Sequence, residues 1–134
     1  STLLQEWTFD SGTDDWKNNP HCRMTASDGI LQITATENDP FITTPVAAQA
    51  KYLVLALRYR AANSGGGQLF WGTDRTPDYH RSRRLDFRLQ QHDGKWHETA
   101  VRIRLAGQLA SLRLDTGQTE GRFDIDWIKL YRED

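Results

Sequence analysis

The sequence has almost no cysteine, because Cys22 is the only one among 134 residues. A single thiol excludes an intrachain disulfide framework and a zinc site built from cysteines. Long apolar runs are also missing, and no segment approaches the roughly 20 residues that a membrane-spanning helix needs. The chain is long enough to bury a core of its own without such supports. We therefore predict a single domain, residues 1–134, whose partners do not include a membrane.

An excess of basic charge is missing as well. Lys and Arg number 17 and Asp and Glu number 18, which gives a formal net charge of −1. Nucleic-acid binding depends on neutralising phosphates with basic side chains, so this balance argues against it. The charge is unevenly spread, since residues 1–50 have seven acidic residues against two basic ones, and residues 75–104 have eight basic residues against four acidic ones. Most of the basic residues are Arg, which favours planar, bidentate contacts with carboxylate, sulfate or sugar hydroxyls.

Helical periodicity is absent. Short apolar or alternating runs are separated by Gly, Pro, Asn and Asp, a pattern that predicts an all-β fold, a two-sheet antiparallel β-sandwich. The longest irregular segment, Asp74–Arg83, is polar and rich in Arg, and long loops on rigid sandwiches often have functional roles. Strands are expected near residues 3–9, 22–26, 30–36, 40–43, 51–61, 68–73, 84–89, 97–105, 109–115 and 122–131.

Arg recurs opposite the apolar face of the central strands. In the segment 51–61, alternation places the leucines in the core and Arg58 and Arg60 on the outer face. The segment 109–115 does the same with Arg113. Two interpretations remain open: a solvated face with cross-strand Arg–Asp pairs of little energetic value, or a polar groove for an extended ligand.

Aromatic side chains could line such a groove, because a flat ring stacks on a sugar while polar neighbours bind the hydroxyls. By alternation Trp71 points inward, whereas Gln68 and Phe70 point outward. A bulge at Gly72 would reverse this arrangement. We retain Phe70, Trp71 and Tyr79 as candidate stacking residues and expect the other tryptophans to pack in the core or at its edges.

No recognisable catalytic set is present. The four histidines lie in different strands or turns without the spacing of zinc ligands, and there is neither a Gly-rich phosphate loop nor a Gly-x-Ser-x-Gly motif. We therefore predict that the chain is not an enzyme. A small polysaccharide lyase or hydrolase that uses Tyr79, His80 and Arg81 of the long loop remains an alternative.

Acidic residues mark both ends of the domain. The first strand runs from Trp7 into an acidic turn that closes on Trp16, and the last strand places Asp124 and Asp126 between apolar residues. If the first and last strands are neighbours, these oxygen-rich segments meet, and a hard cation such as calcium prefers many oxygen ligands. The alternative is that both carboxylates pair with Arg.

Four short motifs follow one another along nearly the whole chain. They are Thr8-Phe9-Asp10-Ser11-Gly12 followed by Trp16, Asp28-Gly29-Ile30-Leu31, Leu57-Arg58-Tyr59-Arg60-Ala61 and Ile125-Asp126-Trp127-Ile128-Lys129-Leu130. Together they resemble the family 4/9-type carbohydrate-binding modules, which are galactose-binding-like jelly rolls. The resemblance implies a glycan cleft on the concave face of one of two antiparallel sheets, with Arg58, Gln68 and Arg113 in that cleft. It also implies a structural calcium ion held by the carbonyls of Thr8 and Gly29 and the side chain of Asp126.

These observations predict a non-catalytic carbohydrate-binding module, secreted or extracellular and monomeric, that targets an attached glycan-active catalytic domain to a polysaccharide. The polysaccharide is expected to lie in a groove on one sheet. A protein-interaction or interdomain packing module of the same fold is the alternative. The candidate binding residues are Arg58, Arg60, Gln68, Phe70, Trp71, Tyr79, Arg81 and Arg113.

Overall fold

The computed structural model describes all residues, 1–134, and contains strands with a single turn of 3-10 helix at Arg81–Arg83. No helix in it is long and apolar enough to cross a bilayer. The strands are β1 Thr2–Trp7, β2 Lys17–Asn18, β3 Cys22–Ser27, β4 Ile30–Ala35, β5 Phe41–Ala48, β6 Tyr52–Ala61, β7 Gly67–Thr73, β8 Arg84–Phe87, β9 His97–Arg104, β10 Leu109–Asp115 and β11 Gly121–Arg132.

The strands form two antiparallel sheets. One is six-stranded, in the order β3-β4-β11-β6-β9 with β1 also paired to β11, and the other is five-stranded, in the order β2-β5-β10-β7-β8. The predicted two-sheet antiparallel β-sandwich is therefore confirmed. Two details differ from the sequence-based expectation. The short strand β2 is additional to the expected strands, and β5 continues past residue 43 to Ala48 because Pro45, opposite Ser111, lies beside a bulge of β5.

Alternation along the strands builds the core between the two sheets. In β6 the buried residues are Leu53, Leu55, Leu57 and Tyr59, each at most 1% exposed, and the residues between them face outward. The hydroxyl of Tyr59 accepts a hydrogen bond from the Gln90 backbone N–H at 2.7 Å, which satisfies the one polar atom that this face brings inside. Burying each large apolar side chain stabilises the fold by roughly 1.5–3 kcal/mol, so the alternation itself fixes which face is the core.

The first and last strands are neighbours, which is the condition under which the acidic segments at the two ends of the domain meet. Strand β1 pairs with the second half of β11, with Trp7 opposite Ile128, and β4 pairs with the first half, with Leu31 opposite Ile125. The two strands therefore meet β11 at successive positions. Between them, at Asp126, the pairing of β11 with β6 is interrupted by a bulge. This junction brings the acidic turn after β1 close to the middle of the last strand.

The loop Asp74–Arg83 folds back over one end of the five-stranded sheet. A Cβ atom at Gly72 would lie 2.7 Å from the carbonyl oxygen of Pro77, so only glycine allows this approach without displacement of the loop. The base of the loop is closed by a hydrogen bond from the Thr73 N–H to the Thr76 carbonyl, 2.9 Å long. Arg83 donates from Nη2 to the carbonyl and to the Oδ1 atom of Asp78, both at 2.9 Å. The loop thus forms a fixed wall at this end of the sheet.

Candidate functional site

The residues predicted to share one groove lie on opposite sides of the sandwich. Arg58 and Arg60 belong to β6 and face outward from the six-stranded sheet. Gln68, Phe70 and Arg113 belong to β7 and β10 and face outward from the five-stranded sheet. The prediction of a single groove containing all five is therefore wrong. Alternation assigns each residue to an outer face, but it contains no information on which strands share a sheet.

Trp71 is not a stacking platform on either sheet face. Its side chain is only 7% exposed and belongs to the hydrophobic core, where it pairs across the ladder with Leu112. The inward orientation expected from alternation is correct, because the register irregularity between β10 and β7 lies beyond Gly72 and Trp71 stays in regular pairing with Leu112. Tyr79 and Arg81 lie in the loop Asp74–Arg83, the former half-buried and the latter exposed, and their roles stay predictions.

The loop histidine considered for catalysis has a local structural role. The Nδ1 atom of His80 accepts a hydrogen bond from the Ser82 backbone N–H at 3.1 Å and lies 2.8 Å from the Ser82 hydroxyl. These contacts cap the single 3-10 turn at Arg81–Arg83. The Nδ1 atom is therefore occupied in holding the loop.

The outer face of the six-stranded sheet neutralises its own charges. Arg58 Nε lies 3.1 Å from Asp126 Oδ2, and Arg60 Nη2 lies 3.1 Å from Asp124 Oδ2. Both guanidinium groups also lie over the ring of Trp96, with Arg60 at 4.5 Å from its centroid. For this face, the interpretation as cross-strand Arg–Asp pairs fits the geometry, and Arg58 and Arg60 have their partners within the protein.

The outer face of the five-stranded sheet has a different arrangement, a row of alternating arginine and phenylalanine across four strands. Arg113 lies between two phenyl rings, with its guanidinium carbon 3.7 Å from the Phe41 centroid and 4.4 Å from that of Phe70. Arg84 covers the other side of Phe70 at 5.9 Å. Phe70 is consequently only 7% exposed although it points outward. We call Phe41, Phe70, Arg84 and Arg113, with Gln68 and Asp115 beside them, the aromatic–arginine face.

Asp115 fixes the orientation of Arg113. Its Oδ1 atom accepts from Arg113 Nε at 2.8 Å and its Oδ2 atom accepts from Nη2 at 3.0 Å, a bidentate pair. The carboxylate is buried, and burial raises the pKa of Asp115 above its usual range although the Arg113 hydrogen bonds oppose that shift. Arg113 Nη1 has no protein partner, so one edge of a fixed guanidinium remains able to donate.

The polar groups at the other end of the face are positioned by strand register. Gln68 lies opposite Asp115 on one side and Asp86 on the other, and its amide forms no hydrogen bond within the protein. A cavity of about 420 Å³ adjoins it, lined by Asp86, Arg88 and Gln118 among others. The face thus runs from the wall formed by the loop Asp74–Arg83 to an open, polar recess.

Phe41 is the functional candidate that the sequence did not reveal. It follows Pro40 at the start of β5, and alternation with the buried Ile42 places it outside. An outward apolar residue at a strand start carries no signal by itself, because exposed apolar side chains are common. Only the pairing of β5 with β10 shows that it meets Arg113 and Asp115.

The residues proposed for calcium come from segments that the fold brings to the same junction. Thr8 directly follows the pair between β1 and β11, and Gly29 directly precedes β4. At Gly29 a Cβ atom would lie 2.9 Å from Asp10 Oδ1, so the glycine leaves room for that carboxylate. Asp126 uses Oδ2 for Arg58 at 3.1 Å, which leaves Oδ1 without a protein partner. No three acidic, His or Cys side chains converge, so calcium here would depend mainly on carbonyl and water oxygens.

Solved structures match almost the whole chain, whereas no family model and no curated protein matches it. The CBM22-1–GH10 structure of Xyn10B from Clostridium thermocellum, complexed with xylohexaose, aligns with a TM-score of 0.74 and 11% identity over 98% of this chain and 29% of that one. The CBM22-1 xylan-binding domain of Xyn10C from Paenibacillus barcinonensis aligns with a TM-score of 0.66 and 16% identity over 98% and 96%. The K1 cleaved adhesin domain of Lys-gingipain from Porphyromonas gingivalis W83 aligns with a TM-score of 0.65 and 12% identity over the full length of both chains.

At these identities the comparisons establish the fold. Modules of carbohydrate-binding families 4, 6 and 29 share it as well, so the chain has the β-sandwich of several carbohydrate-binding families, and family 4/9 is not singled out. The adhesin domain of Lys-gingipain has the same sandwich, so this fold is not restricted to structures described as carbohydrate-binding modules. Function must therefore be argued from the surface of this chain.

Proposed function

We propose that the chain is a non-catalytic carbohydrate-binding module that binds a polysaccharide across the aromatic–arginine face. The observation that carries this proposal is the fixed guanidinium of Arg113, held between Phe41 and Phe70 and bonded to the buried Asp115. A sugar chain presents apolar ring faces and a rim of hydroxyl groups. A surface that sets apolar rings beside oriented donors matches both features.

Each part of the face has a separate role in this mechanism. Phe41, the more exposed of the two phenyl rings, offers apolar surface to a sugar ring. Arg113 Nη1 donates to a ring or hydroxyl oxygen, and the Gln68 amide both donates and accepts. Because Arg113 is already held by Asp115 and the phenyl rings, little side-chain entropy is lost on binding. The wall at Pro77 limits the ligand at one end and the recess beside Gln68 leaves it open at the other.

The proposal extends to the context of the module. Xyn10B joins a matching module to a GH10 module in one chain, which supports a role in targeting an attached glycan-active catalytic domain outside the cell. Calcium at the junction of β1, β4 and β11, held by the Thr8 and Gly29 carbonyls and Asp126, would tie the acidic turn to the last strand. Its contribution would be structural.

Affinity electrophoresis and calorimetry with a panel of neutral, uronic and sulfated polysaccharides test the proposal. For the polysaccharide that binds, Phe41→Ala and Gln68→Ala should each weaken binding by about ten-fold, equivalent to ~1.4 kcal/mol. Neither change removes a protein hydrogen bond. Arg122→Ala is the control. Arg122 resembles Arg113 in pairing with an aspartate two residues along its strand, at 2.7 Å, but it lies on the opposite sheet face, so its removal should leave binding unchanged.

Unchanged affinity in both Phe41→Ala and Gln68→Ala would show that the ligand binds elsewhere. Absence of binding to every polysaccharide would instead favour the protein-interaction alternative. Release of reducing ends or unsaturated products would support the lyase or hydrolase alternative.

A further inference from the structure

We propose that a second cavity, at the end of the sandwich behind the loop Asp74–Arg83, binds an anionic sugar residue through Arg75, Arg83 and Arg104. This inference goes beyond the proposed function, which places the polysaccharide on the aromatic–arginine face. The cavity has a volume of about 650 Å³, within the range of small-ligand sites. The loop separates the two sites, since its Pro77 carbonyl covers Gly72 on the sheet face while Thr76 and Ser82 line the cavity.

The charge of the cavity wall is the first support. Three guanidinium groups line it and Asp74 is the only carboxylate in the lining, but Arg83 also pairs with Asp78 at 2.9 Å, so an excess of one positive charge remains. Asp74 is itself engaged, because its Oδ1 atom accepts from the Gln108 backbone N–H at 3.1 Å. Arg75 and Arg104 are exposed and form no ion pair. Arg23, Arg81 and Arg88 also form no ion pair, so the distinguishing feature of Arg75 and Arg104 is that both line this cavity.

Arg83 is the second support. Its Nη2 atom is bonded to Asp78, which fixes the guanidinium against the wall. Its Nε atom is buried and has no hydrogen-bond partner. A ligand cannot reach that buried atom, but Arg83 Nη1 also has no protein partner and is not buried, so it is the Arg83 donor available to a ligand oxygen in the cavity.

Trp71 supplies the apolar part of the wall. Most of its ring is in the core, and its remaining exposed edge lines the cavity together with hydroxyl and amide groups from Thr73 and Gln49. Apolar wall, hydroxyl-binding groups and unpaired arginines together suit a sugar with a negative substituent. The guanidinium fork matches the oxygens of a carboxylate or of a sulfate ester, so the shared chemistry is an oxyanion on a pyranose.

The test compares three probes by calorimetry and by the indole N–H signal of Trp71 in nuclear magnetic resonance: tetragalacturonate, a sulfated galactan tetrasaccharide and neutral xylotetraose. The double variant Arg75→Ala/Arg104→Ala should bind the preferred anionic probe at least ten-fold more weakly than wild type. Arg23→Ala, which removes one exposed charge on β3 away from the cavity, should bind it normally. Affinity should also fall between 0.05 M and 0.5 M salt, because exposed charge pairs are screened.

Comparison of the two anionic probes identifies whether a carboxylate or a sulfate is preferred, and either result supports the proposal. Three results would overturn it: no binding of either anionic probe, equal binding by the double variant and wild type, or a Trp71 shift with xylotetraose that the double variant retains. Phe41→Ala keeps the tests of the two sites apart. This change should affect polysaccharide binding at the aromatic–arginine face and leave the anionic probe unaffected.

Discussion

The buried carboxylate of Asp115 accepts side-chain hydrogen bonds from a single guanidinium group, that of Arg113. Replacing Arg113 with Ala should therefore destabilise the fold strongly. Both carboxylate oxygens bond to Arg113, and the Asp115 side chain is itself fully buried. Removing one partner of a buried ion pair costs about 3–5 kcal/mol. Arg113 retains 18% exposure, and some solvent screening reduces this, so we expect about 2–4 kcal/mol at pH 7. At about 2.1 cal/mol/K per residue, 134 residues give roughly 0.3 kcal/mol/K, and a loss of ~3 kcal/mol lowers the Tm by about 10 °C.

The matched comparison is again Arg122→Ala on the opposite sheet. Its partner Asp124 is also buried, but Asp124 keeps a second bond from Arg60 at 3.1 Å. The remaining guanidinium still compensates the charge, so we expect a cost of only about 0–1 kcal/mol. Urea denaturation and differential scanning calorimetry of both variants measure the difference.

The stability loss in Arg113→Ala should depend on pH in a direction that the pKa of Asp115 determines. Burial raises the folded-state pKa of Asp115 above its unfolded value, and loss of the Arg113 hydrogen bonds would raise it further. The folded variant therefore takes up a proton before the unfolded chain does, and stability is gained as pH falls toward the unfolded pKa. The deficit of Arg113→Ala should shrink on acidification, and Arg113→Ala/Asp115→Asn should recover most of it at pH 7. A deficit equal to that of Arg122→Ala, or no recovery with Asp115→Asn, would refute this reasoning.

Two further predictions concern calcium and catalysis. An ion that binds only the folded state adds RT ln(1 + [L]/Kd) to stability, so calcium should raise the Tm, a chelator should lower it, and Asp126→Ala should abolish this response. An unchanged Tm in chelator would remove the calcium proposal. Incubation with plant and algal polysaccharides should release neither reducing ends nor unsaturated sugars; turnover that His80→Ala abolishes would reverse the prediction that the chain is not an enzyme.

Much of the fold could be predicted because burial acts locally along each strand. The alternation of Leu55, Leu57 and Tyr59 with outward residues in β6 follows directly from the twofold repeat of a strand, and the structure confirms it. The same rule places Trp71 inward. The sequence leaves open whether the first and last strands are neighbours, and the pairing of β1 with β11 answers this question.

The candidate site could be predicted only in part, because it depends on strand order. Alternation correctly identifies Phe70, Gln68 and Arg113 as outward residues that could bind a sugar. It gives Arg58 and Arg60 the same status, although β6 belongs to the other sheet. Strand order depends on contacts between segments far apart in sequence. Alternation within a segment contains no such information.

The same Arg-x-Asp pattern occurs on both outer faces but has different surroundings on each. Strand β10 contains Arg113 and Asp115, and β11 contains Arg122 and Asp124, each pair two residues apart on an outer face with the carboxylate buried. At Asp124 the neighbouring strand supplies another arginine, Arg60, which saturates the carboxylate and neutralises the surface. At Asp115 the neighbouring strands instead supply Phe41 and Gln68. The cross-strand neighbours, rather than the Arg-x-Asp pattern, therefore decide whether two arginines share the carboxylate or a single arginine holds it between phenyl rings.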